Sequence, residues 1–330
     1  MRIFSGIKPT GDPTLGNYSG GFRQYAATQE LGEAFFCIVD LHAITVEHDH
    51  PEDLGRRTLD LAAMLLATGI DPERSTLFVQ SHVTAHAQAA WLLSAVASYG
   101  QLGRMTQFKE KGGQQGFVSA ALFDYPVLMA GDILLYRSTH VPIGDDQRQH
   151  LELARDIAER FNARFGETLV VPDAIYPETG ARIMDLQDPA GKMGKTGSSD
   201  LGTVRMLDEP DAIRKKFISA VTDSGHDVVY ERETKPGIAN LLEILEVSTG
   251  EPTSSIENRY RDIGYGDFKK EVARAVVALL DPIRTRYERL RSDETGILQV
   301  LARGAERARQ ASTPVLEAMY ERMGFLRVPG

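Results

Sequence analysis

Residues 2–17 read RIFSGIKPTGDPTLGN, and this stretch decides the fold of the first half of the chain. Arg2–Ile7 is a short, partly apolar run with the pattern of a strand, and a loop containing Pro9 and Gly11 follows it. A helix is predicted after the loop. Glycine lets a backbone approach a ligand closely, and the first turn of a helix offers unpaired N–H groups to phosphate. Taken alone, such a loop is more often an ordinary turn than a phosphate site.

The strand-and-helix order continues through the first half of the chain. Further strands are predicted at residues 34–39, 75–80 and 140–143, and the first of these is an unbroken apolar run, typical of a strand covered on both faces. Helical periodicity occupies the segments between them. Strands and helices that alternate with right-handed crossovers form a doubly wound parallel sheet. We therefore predict an α/β fold whose first domain contains a Rossmann-like doubly wound parallel sheet.

The pattern changes after Thr196, where glycine and serine residues predict a flexible loop. Beyond it the chain is predicted to be helical, with one short strand at residues 228–230. The predicted helices cover residues 211–221, 238–249, 268–280, 283–291 and 298–322. The second part of the chain is therefore expected to be a mainly α-helical C-terminal domain.

These patterns divide the chain into four segments. We expect a Rossmann-like domain over residues 1–190 and a mobile loop over residues 191–200. A helical domain is expected over residues 201–290. The last segment, residues 291–330, is expected to hold a helix that packs back towards the first domain.

The composition is that of an ordinary globular protein, because 42% of the 330 residues are hydrophobic and 25% are charged. No run approaches the ~20 apolar residues that are needed to cross a bilayer, and the N-terminus has no signal-peptide pattern. The single cysteine, Cys37, fits a reducing compartment. We therefore expect a cytoplasmic protein without a membrane partner.

Charge and ligand spacing limit the classes of binding site. The net charge of −9 argues against a general nucleic-acid coat protein. Residues 256–291 hold nine basic and six acidic side chains, which leaves a local phosphate-binding face open, although a solvated helix surface is the commoner meaning of such a run. No histidine pair has metal-ligand spacing, and a single cysteine argues against structural zinc. We predict no metal site.

A second segment with chemical meaning is Lys192-Met193-Gly194-Lys195-Thr196. Two ammonium groups three residues apart, in a loop made pliable by glycine, can neutralise charge that develops on a polyphosphate. An exposed linker with two solvated lysines is the commoner meaning of this segment when it is taken alone.

Together the two segments are far more specific than either alone. Residues 9–17 match the pattern P-x-G-x-x-H/T-x-G-H/N, and residues 192–196 match K-M-x-K-S/T. This pair of patterns resembles the double signature of the class I aminoacyl-tRNA synthetases. Other stretches are similar to the bacterial-type tryptophanyl-tRNA synthetases, namely residues 36–45, 104–111, 125–136, 141–150 and 220–224. The resemblance covers nearly the whole chain.

The resemblance implies an activity and its partners. The expected reaction activates L-tryptophan with ATP to tryptophanyl-adenylate and pyrophosphate, then transfers tryptophan to the 3′ end of tRNA(Trp). ATP is expected to bring its own Mg²⁺, without a dedicated metal site on the protein. The resemblance also implies a homodimer, with the catalytic site in residues 1–190 and an anticodon-binding surface in residues 201–290.

The resemblance further implies two sets of nucleotide residues. Lys192 and Lys195 would stabilise the transferring phosphates, and the side chains of Thr14 and Asn17 would orient them. The expected ATP-binding residues are Lys8, Pro9, Thr10, Gly16, Asn17, Gly144, Asp145, Asp146, Ile183, Lys192, Met193, Gly194, Lys195 and Thr196. The two aspartates could equally serve as caps at the start of a helix.

The amino-acid pocket is implied in the same way. Asp132 would accept the indole N–H, which is the polar group of the tryptophan ring. Tyr125 and Gln147 would hold the ammonium group of the substrate. The expected pocket lining is Phe4, Val39, His42 and Met129. Without the resemblance, Asp132 is open to interpretation as an exposed carboxylate on a helix, and the apolar members of the lining as plain core.

Two departures from the family pattern and two rival functions remain open. Lys8 stands where many members have Gln, which suggests resistance to tryptophan analogues. Gly194 replaces the usual Ser of the lysine motif. A tyrosyl-tRNA synthetase shares both signatures, and a catalytically silent paralogue would keep the fold. A nicotinamide oxidoreductase is disfavoured, because no G-x-G-x-x-G follows the first strand.

Overall fold

A parallel sheet organises the first half of the molecule. The computed structural model describes residues 1–9, 11–45, 53–106, 108, 118–144, 147–176, 182–194 and 199–326. The strands are β1 (Arg2–Ile7), β2 (Glu33–Ile38), β3 (Thr76–Val79), β4 (His140–Pro142) and β5 (Asp173–Ile175). They lie in the order β3-β2-β1-β4-β5, and every neighbouring pair is parallel. This order confirms the predicted doubly wound sheet.

The strand order places a crevice beside β1. The chain runs from β1 outward through β2 to β3, then returns to the other side of β1 for β4 and β5. In such a sheet, loops from the two neighbouring strands at the reversal point diverge, and ligands bind there, outside the carboxyl ends of the strands. The loop that follows β1 therefore lies at the place where a ligand is expected.

Both faces of the sheet are covered. In β2, every residue after Glu33 is buried, as the unbroken apolar run predicted. Successive side chains point to opposite faces, so Phe36 and Ile38 join one core while Phe35 and Cys37 join the other.

Helices make up most of the rest of the described chain. In the first half they are α1 (Leu15–Asn17), α2 (Arg23–Thr28), α3 (Asp40–Ala43), α4 (Asp53–Ala67), α5 (Ala85–Ser94), α6 (Tyr99–Leu102), α7 (Ala120–Leu134) and α8 (Arg148–Phe165), with a π-helix at Tyr18–Phe22. In the second half they are α9 (Pro210–Ile218), α10 (Pro236–Thr249), α11 (Thr253–Tyr260), α12 (Tyr265–Arg291) and α13 (Glu294–Arg322). None of the helices in the described ranges has the length and apolar character needed to cross a membrane.

The helical second half shares a core with one face of the sheet. Ile38 and Val79 of the strands belong to the same buried cluster as Phe217 of α9, Leu242 of α10 and Val276 of α12. Burial of this continuous apolar surface holds the two halves together.

The last helix lies against β3. A Cβ atom added at Gly304 of α13 would lie 1.8 Å from the carbonyl oxygen of Leu77, so the two backbones are in direct contact. The Arg307 guanidinium donates to the carbonyl oxygens of Pro72 and Ser75. The helix thereby covers a sheet edge that would otherwise be open to pairing.

Two predictions about the second half are wrong. Residues 228–230 do not form a strand: Val228 is buried and its N–H donates to the carbonyl oxygen of Arg261, so its apolar side chain packs among helices. The helices predicted at 268–280 and 283–291 are the single helix α12, which runs through Pro282. Proline removes one backbone hydrogen bond, but burial of Leu280 and Ile283 on either side holds the helix together.

Candidate functional site

The loop after β1 is closed by a capping box. The N–H of Asn17 donates to Oγ1 of Thr14 over 3.3 Å, and the N–H of Thr14 donates to Oδ1 of Asn17 over 2.9 Å. The hydroxyl of Thr14 also donates to the same Oδ1 over 3.2 Å. Because these bonds occupy Oδ1, the carboxamide of Asn17 has its Nδ2 group left to donate to a ligand.

This loop is in contact with the segment that carries Lys192. A Cβ atom added at Gly16 would lie 3.4 Å from the carbonyl oxygen of Met193. The N–H of Met193 in turn donates to the carbonyl oxygen of Ile183 over 3.1 Å. The N–H of Leu15 donates to the carbonyl oxygen of Val204, which ties the far side of the lysine segment to the same loop. The structure therefore brings the two signature segments together.

A polar cavity of about 580 Å³, here called the loop cavity, opens beside these two segments. Of the predicted residues, Lys8, Gly16, Asn17 and Lys192 line it. Arg56 and Arg57 of α4, Asp12, Asp60 and Tyr287 also line it, and the sequence analysis did not single them out. Four cationic side chains against two carboxylates make this cavity suited to an anion such as a polyphosphate.

The other described residues predicted to bind the nucleotide are not among those that line the loop cavity. Pro9, Thr14, Ile183 and Met193 are buried, and Gly194 is half-buried. Gly144 is exposed after β4, and its carbonyl oxygen accepts from the N–H of Gln147. The remaining predicted residues, Thr10, Asp145, Asp146, Lys195 and Thr196, lie outside the described residues.

A second cavity of about 330 Å³, here called the apolar cavity, lies at the carboxyl ends of β1, β2 and β4. All seven residues predicted for the amino-acid pocket line it, namely Phe4, Val39, His42, Tyr125, Met129, Asp132 and Gln147. Tyr125, Met129 and Asp132 meet there because spacings of three and four residues put them on one face of α7. Lys8 lines both cavities and therefore lies where they join.

Asp132 is buried and accepts three hydrogen bonds. Its Oδ2 lies 2.8 Å from Nε2 of His42, and its Oδ1 lies 2.6 Å from Nδ1 of His86 and 2.7 Å from Nε2 of Gln80. The interpretation of Asp132 as an exposed carboxylate is therefore wrong, since only 1% of the residue is exposed.

The hydrogen bonds keep this carboxylate ionised. Burial alone would raise the pKa of Asp132, because the low-dielectric interior disfavours the charged form. Hydrogen bonds from His42 and His86 outweigh burial and hold the pKa of Asp132 well below its ordinary value of 3.8. At neutral pH the apolar cavity therefore contains one negative charge in an otherwise largely apolar lining.

Tyr125 offers an acceptor to the same cavity. Burial raises the pKa of Tyr125 to about 12, so its phenol stays protonated at neutral pH. The hydroxyl lies 2.6 Å from Nε2 of His150, to which it can donate. The phenol oxygen then keeps lone pairs for an ammonium group.

The residues on the side of Asp132 that faces away from the apolar cavity were not predicted from the sequence. Gln80, His86 and Tyr136 are fully buried, and Gln80 and His86 lie 52 and 46 residues from Asp132 along the chain. A histidine inside an alanine-rich helix gives no signal of its own. Recognising these residues requires the packing of α5 against α7.

The basic run at residues 256–291 is largely neutralised within the protein. Five of its seven arginines pair with nearby acids, namely Arg259 with Glu251, Arg261 with Glu257, Arg274 with Glu271, Arg284 with Asp281 and Glu288, and Arg291 with Asp60 and Glu294. Lys269 donates to the carbonyl oxygen of Ala220. Most cations of this run are therefore bound within the protein. Within the described ranges, no group of three or more His, Cys, Asp or Glu side chains is placed to hold a metal ion.

Known proteins are similar to this chain along nearly its whole length. The model of the class I tRNA synthetases (W and Y) matches residues 1–281. The chain is 52% identical over 329 residues to a tryptophan–tRNA ligase of Leifsonia xyli subsp. xyli, covering 99% of this chain and 97% of that protein. It is 48% identical over 325 residues to a tryptophan–tRNA ligase of Caldanaerobacter subterraneus subsp. tengcongensis, covering 98% of both.

A solved structure agrees with these relatives. The tryptophanyl-tRNA synthetase from Campylobacter jejuni, complexed with ADP and tryptophan, is 33% identical to this chain. The two superpose with a TM-score of 0.85 over 98% of this chain and 100% of that one. The similarity therefore extends over the sheet, the helical half and both cavities.

Proposed function

The chain belongs to the class I tRNA synthetases that comprise the tryptophan and tyrosine enzymes, and from this premise we infer that it is a tryptophan–tRNA ligase. It activates L-tryptophan with ATP and transfers the amino acid to the 3′ end of tRNA(Trp). The observation that carries the assignment of its pocket is the buried, ionised Asp132 in the apolar cavity. An indole ring is apolar apart from one N–H donor, and this cavity offers one carboxylate in a largely apolar lining.

The other side chains of the apolar cavity suit the rest of the amino acid. Phe4, Val39 and Met129 offer apolar contacts to the ring. Tyr125 and Gln147 supply polar groups for the ammonium group of the substrate. A bound tryptophan in this place would have its carboxylate directed to Lys8, where the two cavities join.

ATP is proposed to occupy the crevice beside the loop cavity, with its phosphates towards Lys8, Asn17 and Lys192. The related enzyme from Campylobacter jejuni was solved with ADP and tryptophan, which supports the binding of an adenine nucleotide. The proposed nucleotide contacts also include Gly144, Ile183 and Met193, together with the residues of both signatures that lie outside the described ranges. Mg²⁺ is proposed to arrive on the nucleotide rather than in a site of its own.

The proposed chemistry needs positioning and charge stabilisation more than proton transfer. The carboxylate of tryptophan attacks the α-phosphorus of ATP, a mixed anhydride forms, and pyrophosphate leaves. A carboxylate at neutral pH is already a nucleophile, so no general base is required. The ammonium groups of Lys192 and Lys195 would stabilise charge on the transferring and leaving phosphates, while Asn17 would orient them.

We also propose a homodimer and a cytoplasmic location. Trp91 of α5 is 79% exposed and Tyr99 of α6 is 81% exposed. Aromatic side chains this exposed are typical of a surface that a partner covers, and a second copy of this chain is the partner that the family resemblance implies. The proposed division of labour places catalysis in residues 1–190, the lysine signature at 191–200, anticodon binding at 201–290 and a supporting helix in 291–330.

Amino-acid-dependent ATP–pyrophosphate exchange, with tryptophan and tyrosine in parallel, tests the activation step. Exchange with tryptophan alone is the expected result. Exchange with tyrosine would move the assignment to the tyrosine branch of the family. No exchange with either amino acid would identify a catalytically silent paralogue.

A further inference from the structure

A chain of buried polar side chains runs from Asp132 away from the apolar cavity. Nδ1 of His86 lies 2.6 Å from Oδ1 of Asp132, and Nε2 of the same ring lies 2.7 Å from the hydroxyl of Tyr136. The Tyr136 hydroxyl is itself hydrogen-bonded by Ser312 of α13. All four side chains are at most 1% exposed, so no solvent competes for these bonds.

The direction of each bond in this chain follows from Asp132. An ionised carboxylate only accepts, so Nδ1 of His86 carries the proton that it donates. A neutral imidazole then has a lone pair on Nε2, which accepts from the hydroxyl of Tyr136. At the far end, the hydroxyl of Ser312 can donate to the oxygen of Tyr136 or to the carbonyl oxygen of Arg309, which lies 3.3 Å away. The bonds from Asp132 through His86 to Tyr136 fix the tautomer and the ring plane of His86.

A second donor holds the same carboxylate oxygen. Nε2 of Gln80 donates to Oδ1 of Asp132 over 2.7 Å, while Oε1 of Gln80 accepts from the N–H of Leu41 over 3.1 Å. The backbone of Leu41 thus decides which end of the Gln80 amide faces Asp132. Neither Gln80 nor His86 is among the residues that line the apolar cavity. Both therefore hydrogen-bond the carboxylate from the side opposite the substrate.

We propose that Gln80 and His86, the latter oriented by Tyr136, are positioning residues that clamp Oδ1 of Asp132 and so aim Oδ2 at the indole N–H, which sets the preference for tryptophan. This proposal rests on the proposed function and on the place of Asp132 in it. A carboxylate held by two donors on Oδ1 and by Nε2 of His42 on Oδ2 cannot turn about its terminal bond to a poorer angle. Oδ2 has a second lone pair with which to accept the indole N–H. The orientation of the carboxylate is then established before the substrate arrives, which is where recognition gains selectivity.

The test compares tryptophan with its benzothiophene analogue, in which sulfur replaces the indole N–H. ATP–pyrophosphate exchange gives kcat/KM for each substrate. The kcat/KM for tryptophan divided by that for the analogue measures recognition of the N–H alone. In Gln80→Met, His86→Leu and Tyr136→Phe, we expect the ratio to fall because kcat/KM for tryptophan falls, chiefly through KM, while the analogue is little affected. A hydrogen bond to a charged group supports a fall of about tenfold for Gln80→Met.

Phe78→Leu is the matched control. The ring of Phe78 is buried against His86 and Tyr136 but has no hydrogen bond in the chain. We expect this variant to lose thermal stability and to leave the tryptophan-to-analogue ratio unchanged. Equal losses for both substrates in the three polar variants, as from any packing defect, would overturn the proposal.

Tyr136→Phe keeps the proposal testable if the other variants fold poorly, because it removes a single oxygen atom. A wild-type ratio in a folded Tyr136→Phe and a folded Gln80→Met would overturn the proposal. Wild-type enzyme that uses tryptophan without preferring it to the analogue would also overturn it, while leaving the proposed ligase activity intact. Absence of exchange with tryptophan would instead show that the proposed function itself is wrong.

Discussion

Gly16 and Met193 are in backbone contact: a Cβ atom added at Gly16 would lie 3.4 Å from the carbonyl oxygen of Met193. They belong to the two signature segments, which are far apart in the sequence. The contact places the lysine segment against the first turn of the helix that follows β1. In the proposed function, the loop and Lys192 would therefore act on the same phosphates.

Lys192→Ala is expected to depress turnover far more than tryptophan binding. Lys192 lines the loop cavity and is not among the residues that line the apolar cavity, so we propose that its ammonium group acts on phosphate rather than on the amino acid. Loss of one such electrostatic contact costs about 100-fold or more in kcat. Pyrophosphate exchange would measure kcat, and calorimetry would measure the Kd for tryptophan. Lys270→Ala, an exposed lysine of α12 paired with Asp267, is the control. Equal losses in kcat and in tryptophan affinity would contradict the role.

Lys8→Gln is expected to make the enzyme more sensitive to an indole antibiotic that competes with tryptophan. Lys8 lines both cavities, so its charge can exclude an analogue that lacks the substrate's carboxylate. Inhibition constants should fall about tenfold if one charge contact is involved. They would be measured by exchange inhibition, with the KM for tryptophan as the internal control. Unchanged inhibition would rule out a role of Lys8 in analogue resistance.

Asp132→Asn is expected to lose stability in a way that depends on pH. The folded-state pKa of Asp132 lies below its ordinary value of 3.8, so ionisation stabilises the fold above that pH and the contribution is lost as the pH falls through the folded pKa. Urea unfolding should show a stability gap between wild type and variant at about pH 5 that narrows below about pH 4. A gap that does not narrow in acid would contradict the assigned ionisation.

Local patterns in the sequence predicted four of the five strands and missed β5, whereas the members of the apolar cavity were implied by the family resemblance. Strands such as β2 are unbroken apolar runs, and Tyr125, Met129 and Asp132 follow helical spacing, so local periodicity and the family resemblance brought them together. The support behind Asp132 could not be predicted this way. The bond between His86 and Tyr136 joins α5 to the segment after α7, and only tertiary packing brings them together.

The same limit explains the errors in the helical half. The break predicted between residues 280 and 283 contains Pro282, which removes a backbone donor, but burial of the flanking residues outweighs that local cost. Val228 has the apolar character of a strand residue, yet the helices around it leave no strand for it to pair with. In both cases packing overrides the local preference of the chain.

Gly304→Ala is expected to destabilise the protein although alanine favours helices. A Cβ atom there would lie 1.8 Å from the backbone oxygen of Leu77, so α13 must move off β3. Overpacking of this kind costs about 1–3 kcal/mol or more. Gly266→Ala in α12 is the control, because a Cβ atom at Gly266 meets nothing within 4 Å, and it should be neutral or stabilising by up to about 1 kcal/mol. Thermal unfolding that ranks the two variants in the opposite order would contradict the close approach.

The exposed aromatics of α5 and α6 are expected to hold a dimer together. Wild-type protein should have twice the 36.4 kDa mass of the chain in light scattering coupled to size exclusion. Trp91→Glu and Tyr99→Glu should shift the mass to that of a single chain, because a charge at the centre of an apolar interface cannot be desolvated without a partner.

Leu298→Glu provides the matched control for this experiment. Leu298 is a 50% exposed apolar side chain of α13, on a helix outside the proposed interface, so its replacement adds the same charge without separating the subunits. A dimer that survives both aromatic substitutions would place the interface elsewhere on the molecule. A wild-type protein that is monomeric at all concentrations would show that Trp91 and Tyr99 are exposed for another reason.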